Sequence, residues 1–335
     1  MKDIAEAAGV SRMTVSYALR NAAKIPAATK ARIQALAEEM GYHPDPLIQR
    51  LSSHLAEARR SAFVGCIGYV TCDRIAGEWQ QIPAYRTAFS AAVERARQLG
   101  YRLEEFWLGA PGMTGTKLSR IMEHRGIQGV ILAPVPKDIG VPALDWKRFS
   151  ATAMGYSLAR LKVHRAVNHQ LNTGIEAIKQ VAGLGYKRIS LCMECDQNKR
   201  VNHAWEQALL FHQSRIPVSR RIKPYFPEAL SDAGVLAWVK LAKPDCLLVH
   251  DQAICGLLQR AGYRVPEDIG VVLLDLDSDI HAAFAGMNQQ HAQIGMACVE
   301  LVVAQIFRNE RGLQEHPRTV MVDSIWTAGK TVSRR

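Results

Sequence analysis

The sequence predicts an α/β protein: a small three-helix module at the N-terminus, then a core of two doubly wound, parallel-sheet lobes. Three observations carry that prediction. The first forty residues show helical periodicity and no strand pattern. From about residue 63, apolar strand-like runs alternate with helix-period segments. A Gly-Tyr pair recurs behind a helix at Leu99-Gly-Tyr-Arg102, Leu184-Gly-Tyr-Lys187 and Ala261-Gly-Tyr-Arg264. The alternating stretch is too long for one doubly wound sheet, hence two lobes with a cleft between them. With 48% apolar and 22% charged residues in 335, the composition excludes global disorder, a collagen-like repeat and a coiled-coil rod. No apolar run approaches the roughly 18 residues of a spanning helix. The opening MKDIAEAAGVSR carries acids where a secretory signal needs an apolar stretch, so the expected location is the cytoplasm.

In the first module, Ile4, Ala5 and Ala8 recur at helical spacing, Gly9-Val10 breaks the pattern and Ser11 offers an N-cap. The second helix, Arg12 to about Arg20, has two unlike faces. At 100° per residue Arg12, Met13, Ser16 and Tyr17 cover one side, and Val15, Ala18 and Leu19 the other. A third helix, about Ala27 to Met40, turns Ile33, Leu36, Ala37 and Met40 inward and stops at Gly41. A core of a few alanines and valines suits a docking head.

In the core, Val64–Val70 reads as a buried strand, followed by helix Ala84–Leu99, strand Leu103–Leu108, helix Leu118–His124 and strand Gly129–Val135. The pattern resumes with helix Asn172–Leu184, strand Arg188–Met193, helices Val201–Gln213 and Ala233–Leu241, strand Asp245–Val249, helix Ile254–Ala261 and strand Gly270–Leu276. Glycine at the end of each Gly-Tyr helix accepts a left-handed turn, a structural device with no chemistry attached.

Charge points to a partner. Lys and Arg number 42 against 31 acids, a net +11 that favours a polyanion. Within residues 1–35, Lys2, Arg12, Arg20, Lys24, Lys30 and Arg32 face only Asp3 and Glu6, so that short stretch holds +4. Seven cysteines scattered from Cys66 to Cys298 form no disulfide framework and fit a reducing compartment. Cys192-Met-Glu-Cys195 is a lone pair inside a strand-like run, without the second pair that a zinc site needs. No metal or cofactor is expected.

Asp3-Ile-Ala-Glu-Ala-Ala-Gly-Val-Ser11, Thr14-Val-Ser16, and Thr29 through Gly41-Tyr-His-Pro44 resemble the headpiece of the lactose-repressor (LacI/GalR) family of transcription regulators. Leu184-Gly-Tyr-Lys-Arg-Ile189, Val249-His-Asp251, Val265-Pro-Glu-Asp-Ile-Gly-Val271 and Asp275 resemble its effector-binding domain, so the likeness covers nearly the whole chain. The resemblance implies an α/β chain made of a helix-turn-helix headpiece (1–44), a hinge helix or linker (45–62) and a periplasmic-binding-protein-like core (63–335). The core's lobes would be 63–163 with 291–322, and 164–290 with 323–335. It further implies a dimeric regulator, controlled by a small-molecule effector, on a two-fold symmetric operator in double-stranded DNA. By that likeness Arg12, Met13 and Tyr17 face base edges, while Thr14, Ser16 and Asn21 lie near phosphates, with Lys30 and Arg32 supplying charge. Asp45-Pro46 starts the hinge helix, and Leu51 takes the position that wedges into the minor groove.

For the effector, the resemblance places ligand between the lobes at the carboxyl ends of strands. Asp275 matches the acidic ligand-binding position, His250-Asp251 stands where Asn-Asp is usual, and Trp205 matches a conventional aromatic. Arg200 lies one place out of register from the expected arginine, whose position holds Val201. Trp79, just after the first core strand, is placed to stack on a ligand. These departures point to a sugar or related metabolite other than an ordinary hexose. The same family includes activators, the alternative to a repressor. An enzyme on this fold would show GxGxxG after a strand, GxxxxGK[ST], GxSxG or HExxH, and none is present. A transport-type binding protein would need a signal peptide and no basic head.

Overall fold

Three helices open the chain in the computed structural model, which describes residues 2–19, 25–41, 63–136, 139–158, 160–277 and 281–335. Helix α1 spans Lys2–Ala8, α2 Arg12–Leu19 and α3 Ala27–Glu39. Gly9 turns at φ +62°, where a Cβ would be strained, and Ser11 then caps α2 by accepting the Thr14 amide on Oγ at 3.1 Å. Ile4, Ala5, Ala8, Val15, Ala18, Ile33 and Ala37 are buried together. So small a core leaves polar links to hold the ends. Arg32 Nη2 donates to Ala8 O at 3.0 Å and Gln34 Nε2 to Ala18 O at 3.2 Å. Each bond satisfies a last-turn carbonyl that its own helix leaves without a partner. These helices belong to one unit, Met1–Val64; the rest, Gly65–Arg335, is a second.

The second unit holds two sheets. The first runs β10-β5-β4-β3-β1-β2, all parallel: β1 Gly65–Thr71, β2 Tyr101–Trp107, β3 Gly129–Leu132, β4 Ser150–Met154, β5 His164–Asn168 and β10 Thr319–Val322. The second runs β11-β9-β8-β7-β6: β6 Ile189–Cys192, β7 Cys246–Val249, β8 Gly270–Leu273, β9 Ala285–Asn288 and β11 Ile325–Thr327. Here β11 pairs antiparallel with β9 and the other pairs are parallel. Strands β3 to β8 are buried along their whole length, as expected when helices cover both faces of a sheet.

In the first lobe α4 (Pro83–Gln98) and α11 (His291–Phe307) cover one face, and α5 (Gly115–His124) covers the other. In the second, α6 (Gln170–Gly183) and α8 (Ala204–Gln213) face α9 (Asp232–Ala242) and α10 (Ala253–Arg260) across the sheet. The Gly-Tyr repeat ends its helices as expected, with Gly100, Gly185 and Gly262 at φ +81°, +102° and +92°.

Three features differ from expectation. The helix expected over Val201–Gln213 starts later, as α8 at Ala204: left-handed Asn202 and His203 turn the chain there, and a separate short helix, α7 (Cys195–Arg200), precedes them. Strands β4, β5 and β9 to β11 and helix α11 escape the strand-and-helix reading. Among the described residues no helix joins β4 to β5; Arg165 Nη2 instead holds the connecting loop through Leu158 O and Leu161 O at 3.3 and 2.9 Å. Finally, the lobe boundary expected at 163/164 falls too early, because β5 completes the first sheet. The chain changes lobes between β5 and α6, again between β9 and α11, and a third time between β10 and β11.

Close packing of α4 on α11 depends on Gly295, where a Cβ would lie 2.0 Å from Ala88 O. Alanine in a helix gains roughly 1 kcal/mol in propensity over glycine, whereas overpacking costs about 1–3 kcal/mol or more. Backbone against backbone gives little, so the clash wins. Gly295→Ala should lose about 2 kcal/mol, read as a lower urea midpoint with an unchanged slope.

Candidate DNA-reading face and effector cleft

Helix α2 keeps Val15 and Ala18 in the core and turns Met13 (65% exposed) and Tyr17 (38%) outward. The side chains of Arg12 and Ser16, expected on the same side, lie outside the described residues, as do Asn21 and Leu51. Thr14 is half-buried, and its hydroxyl lies 2.9 Å from Ser11 Oγ in the cap. Lys30 and Arg32 stand in the first turns of α3. Arg32, expected near phosphate, already donates to Ala8 O, so part of its hydrogen-bonding capacity is structural.

Between the core lobes lies a cavity of ≈ 400 Å³ at the carboxyl ends of both sheets. Pro134 past β3, Met154 and Tyr156 at β4, and Asn168 at the end of β5 line it from the first lobe. Glu194, His250, Asp275 and Gln289, just past β6, β7, β8 and β9, line it from the second.

Of the residues singled out from sequence, Arg200, Trp205, His250 and Asp275 meet here, and Trp79 and Asp251 do not. Trp79 is 3% exposed: its ring packs on Tyr69 and Phe89 at 5.6 and 4.8 Å, and its Nε1 donates to Glu105 Oε1 at 2.8 Å. It closes the first lobe's own core instead of offering a stacking face. Asp251 accepts the Ala253 amide on Oδ1 at 2.8 Å and so starts α10.

Arg200 ends α7 and donates from Nη2 to Val135 O of the other lobe at 3.0 Å. One place out of register, it still reaches the cleft. Trp205 is buried beside His250, ring centroids 5.9 Å apart, and its Nε1 has no partner among the described residues. His250 Nδ1 accepts from Gln197 Nε2 at 3.2 Å. Glu194 is committed to backbone, forming a capping box with Gln197 and accepting the Leu230 amide at 3.2 Å. Burial pushes the Asp275 carboxyl up, but the nearby His291, His250 and His281 rings outweigh it and hold it below the usual range. Tyr85 is pushed up by burial, against the pull of Arg200.

Beneath the cleft Asn168 Nδ2 donates to Ser324 Oγ, Val322 O and Gln289 O at 2.8, 3.0 and 3.3 Å, and its Oδ1 accepts from Thr173 Oγ1 at 2.7 Å. Gln170 Nε2 donates to Gln289 Oε1 at 2.9 Å. Sequence reasoning missed Tyr85, Tyr156, Gln170, Gln197, Gln289 and His291, which only the folding of two lobes brings together. Among the described residues no three His, Cys, Asp or Glu are placed to hold a metal ion. Cys192 is buried at the end of β6, its thiol pushed up to about 12 by burial, and Cys195 begins α7.

Residues 1–45 match the lacI family of bacterial regulatory proteins, and residues 178–330 the periplasmic binding protein-like domain. Among curated proteins, the HTH-type transcriptional regulator DegA of Bacillus subtilis (strain 168) is 21% identical over 287 residues, 82% of this chain and 80% of DegA. Solved structures of the same fold include the transcriptional regulator CelR–cellobiose complex, 18% identical with a TM-score of 0.58 over 98% of each chain. The lac repressor dimer bound to operator and the anti-inducer ONPF is 19% identical, TM-score 0.57, over 99% of this chain and 98% of that one. The regulator CCPA from Weissella paramesenteroides with bound glucose is 13% identical, TM-score 0.58, over 80% and 98%. Head and core together define a transcription regulator with a helix-turn-helix DNA-binding domain and a sugar-binding-type core, and no enzyme. The matched head and core, with DegA as a relative, support a regulator of the LacI/GalR family.

Losing the Trp79 indole removes one hydrogen bond and some packing. Trp79→Phe should therefore cost about 1–2 kcal/mol of core stability, measured as a lowered midpoint of thermal unfolding.

Proposed function

We propose that this protein is a cytoplasmic repressor that binds a two-fold symmetric operator as a homodimer and is controlled by a small polar metabolite, a sugar or related compound, held between the core lobes. The observation that carries this reading is the cleft. Polar side chains from both lobes line it, at the place where three chain segments cross between the lobes. A ligand there touches both lobes and favours one arrangement over another, and only such differential affinity shifts an equilibrium. CelR is solved with cellobiose and CCPA with glucose on the same fold.

At the other end, an exposed recognition face on α2 in a basic headpiece suits the major groove. One small head binds weakly; tethering two through a dimeric core raises affinity by effective concentration. The lac repressor, of the same fold, is solved as a dimer on its operator.

Genome-wide DNA capture identifies the operator and, through neighbouring genes, the effector's chemistry. On that operator Arg12→Ala should weaken binding by about 1–3 kcal/mol and relax preference at one base pair, while Lys30→Ala weakens all sequences alike. Equal loss on operator and random DNA would remove Arg12 from base reading. Asp275→Ala should abolish the effector-dependent change in operator affinity in a DNA-binding titration. A normal response would move the effector away from Asp275.

A further inference from the structure

We propose that His291 is a positioning residue of the cleft: it holds Asp275 from the opposite lobe, so that the ligand-free cleft is drawn together by a proton-dependent bridge. His291 is the first residue of α11, which packs on α4 and on β3, β4 and β5 of the first lobe. Asp275 lies two residues past β8 in the second lobe. His291 Nε2 is 2.7 Å from Asp275 Oδ1, and the two side chains, 19% and 23% exposed, both line the cavity. The family resemblance assigns Asp275 to the ligand and gives His291 no role.

A carboxylate in a confined cleft is costly without a donor. A bound ligand's hydroxyl would supply one, and His291 supplies one from the protein itself. It occupies one carboxylate oxygen and leaves the other for ligand, so an effector must share Asp275 with the ring or displace it. A second contact between the lobes, Arg200 Nη2 to Val135 O at 3.0 Å, closes another part of the cleft and does not titrate in the same range.

Other charges favour the bridge. His250 and His281 face the Asp275 carboxylate, and Asp277 faces the His291 ring. Tyr85 of α4 also faces Asp275, and Arg200 faces Tyr85; Glu194 and Asp196 of α7 line the same cavity. Burial pulls the His291 imidazolium down, but Asp275 outweighs burial and the ring titrates above the usual histidine range. A raised base stabilises the bridged state fully below its ordinary value and loses that contribution as pH rises through the raised one. Asp275, held low, gives way only below the ordinary carboxylate range. The bridge is therefore whole in mildly acid solution and lost in alkaline solution.

The proposal rests on reading the cleft as the effector site, but its test uses the ligand-free full chain, so a missing bridge and a misplaced effector give separate results. Wild type, His291→Gln, Asp275→Asn and the double variant are unfolded in urea at about pH 6 and about pH 9, and amide exchange is followed in peptides covering Val135 and α7. At about pH 6 the cycle should show coupling of about tenfold in the unfolding constant, shrinking below about twofold at about pH 9. In His291→Gln at about pH 6, both peptides should exchange several-fold faster than wild type, corrected for intrinsic rates, and wild type should match that rate at about pH 9. Asp275→Asn should accelerate the same peptides, which keeps the test decisive if His291→Gln folds poorly. Absence of coupling, coupling equal at both pH values, or coupling without faster exchange across the cleft would each overturn the bridge.

Discussion

One buried amide ties together the three places where the core changes lobes. Asn168 ends β5 at the first crossing, and its Nδ2 reaches Gln289 O at the second and Val322 O and Ser324 Oγ at the third. Two N–H groups serve three acceptors, so one is shared, and Thr173 completes the set by donating to Oδ1. The constraint behind this is general: buried backbone carbonyls need donors, and chain leaving a sheet has lost its ladder. Were each crossing satisfied by its own loop, the three would be independent joints. Sharing one side chain makes them a single joint.

Around that joint, polar groups divide by whether the protein already uses them. Glu194 and Asp251 spend their oxygens on helix starts, and Gln170 and Gln289 spend theirs on each other. These are architectural although Glu194, Gln170 and Gln289 line the cleft. The Trp205 indole N–H, without a partner among the described residues, and the second oxygen of Asp275 remain beside the cavity. A lining of committed groups with a few uncommitted ones narrows what a ligand can satisfy more sharply than a uniformly polar wall would.

How much of this was legible in the sequence follows from the range over which each signal acts. The helix ends of the headpiece were legible because their punctuation is local: Gly9, Ser11 and Gly41 sit next to what they end or begin, whereas Met40, expected inward, is exposed. The Gly-Tyr repeat located three helix ends for the same reason. Strands β4 and β5 were not visible, because Ser, Thr, His and Arg interrupt their apolar pattern and no helix separates them. The break at Asn202-His203 was missed since neither residue is a usual helix breaker, yet both adopt φ near +55°: +54° and +58°. At the site, Asp275, Trp205, His250 and Arg200 came through family resemblance. Trp79 misled because its partner, Glu105, lies on a neighbouring strand. Its indole therefore looked free when read along the chain. His291 was invisible on the same grounds, since its partner stands across a cleft that exists only after folding.

The headpiece separates what is read from what is held. Val15 and Ala18 face inward, Ser11 secures one end of α2 and Gln34 the other, while Met13 and Tyr17 project with no part in the core. Letters at those outer positions can be exchanged without disturbing the page they are printed on. The face that meets solvent and the face that holds the fold are thus separate sets of positions, so a change in one carries no packing cost in the other.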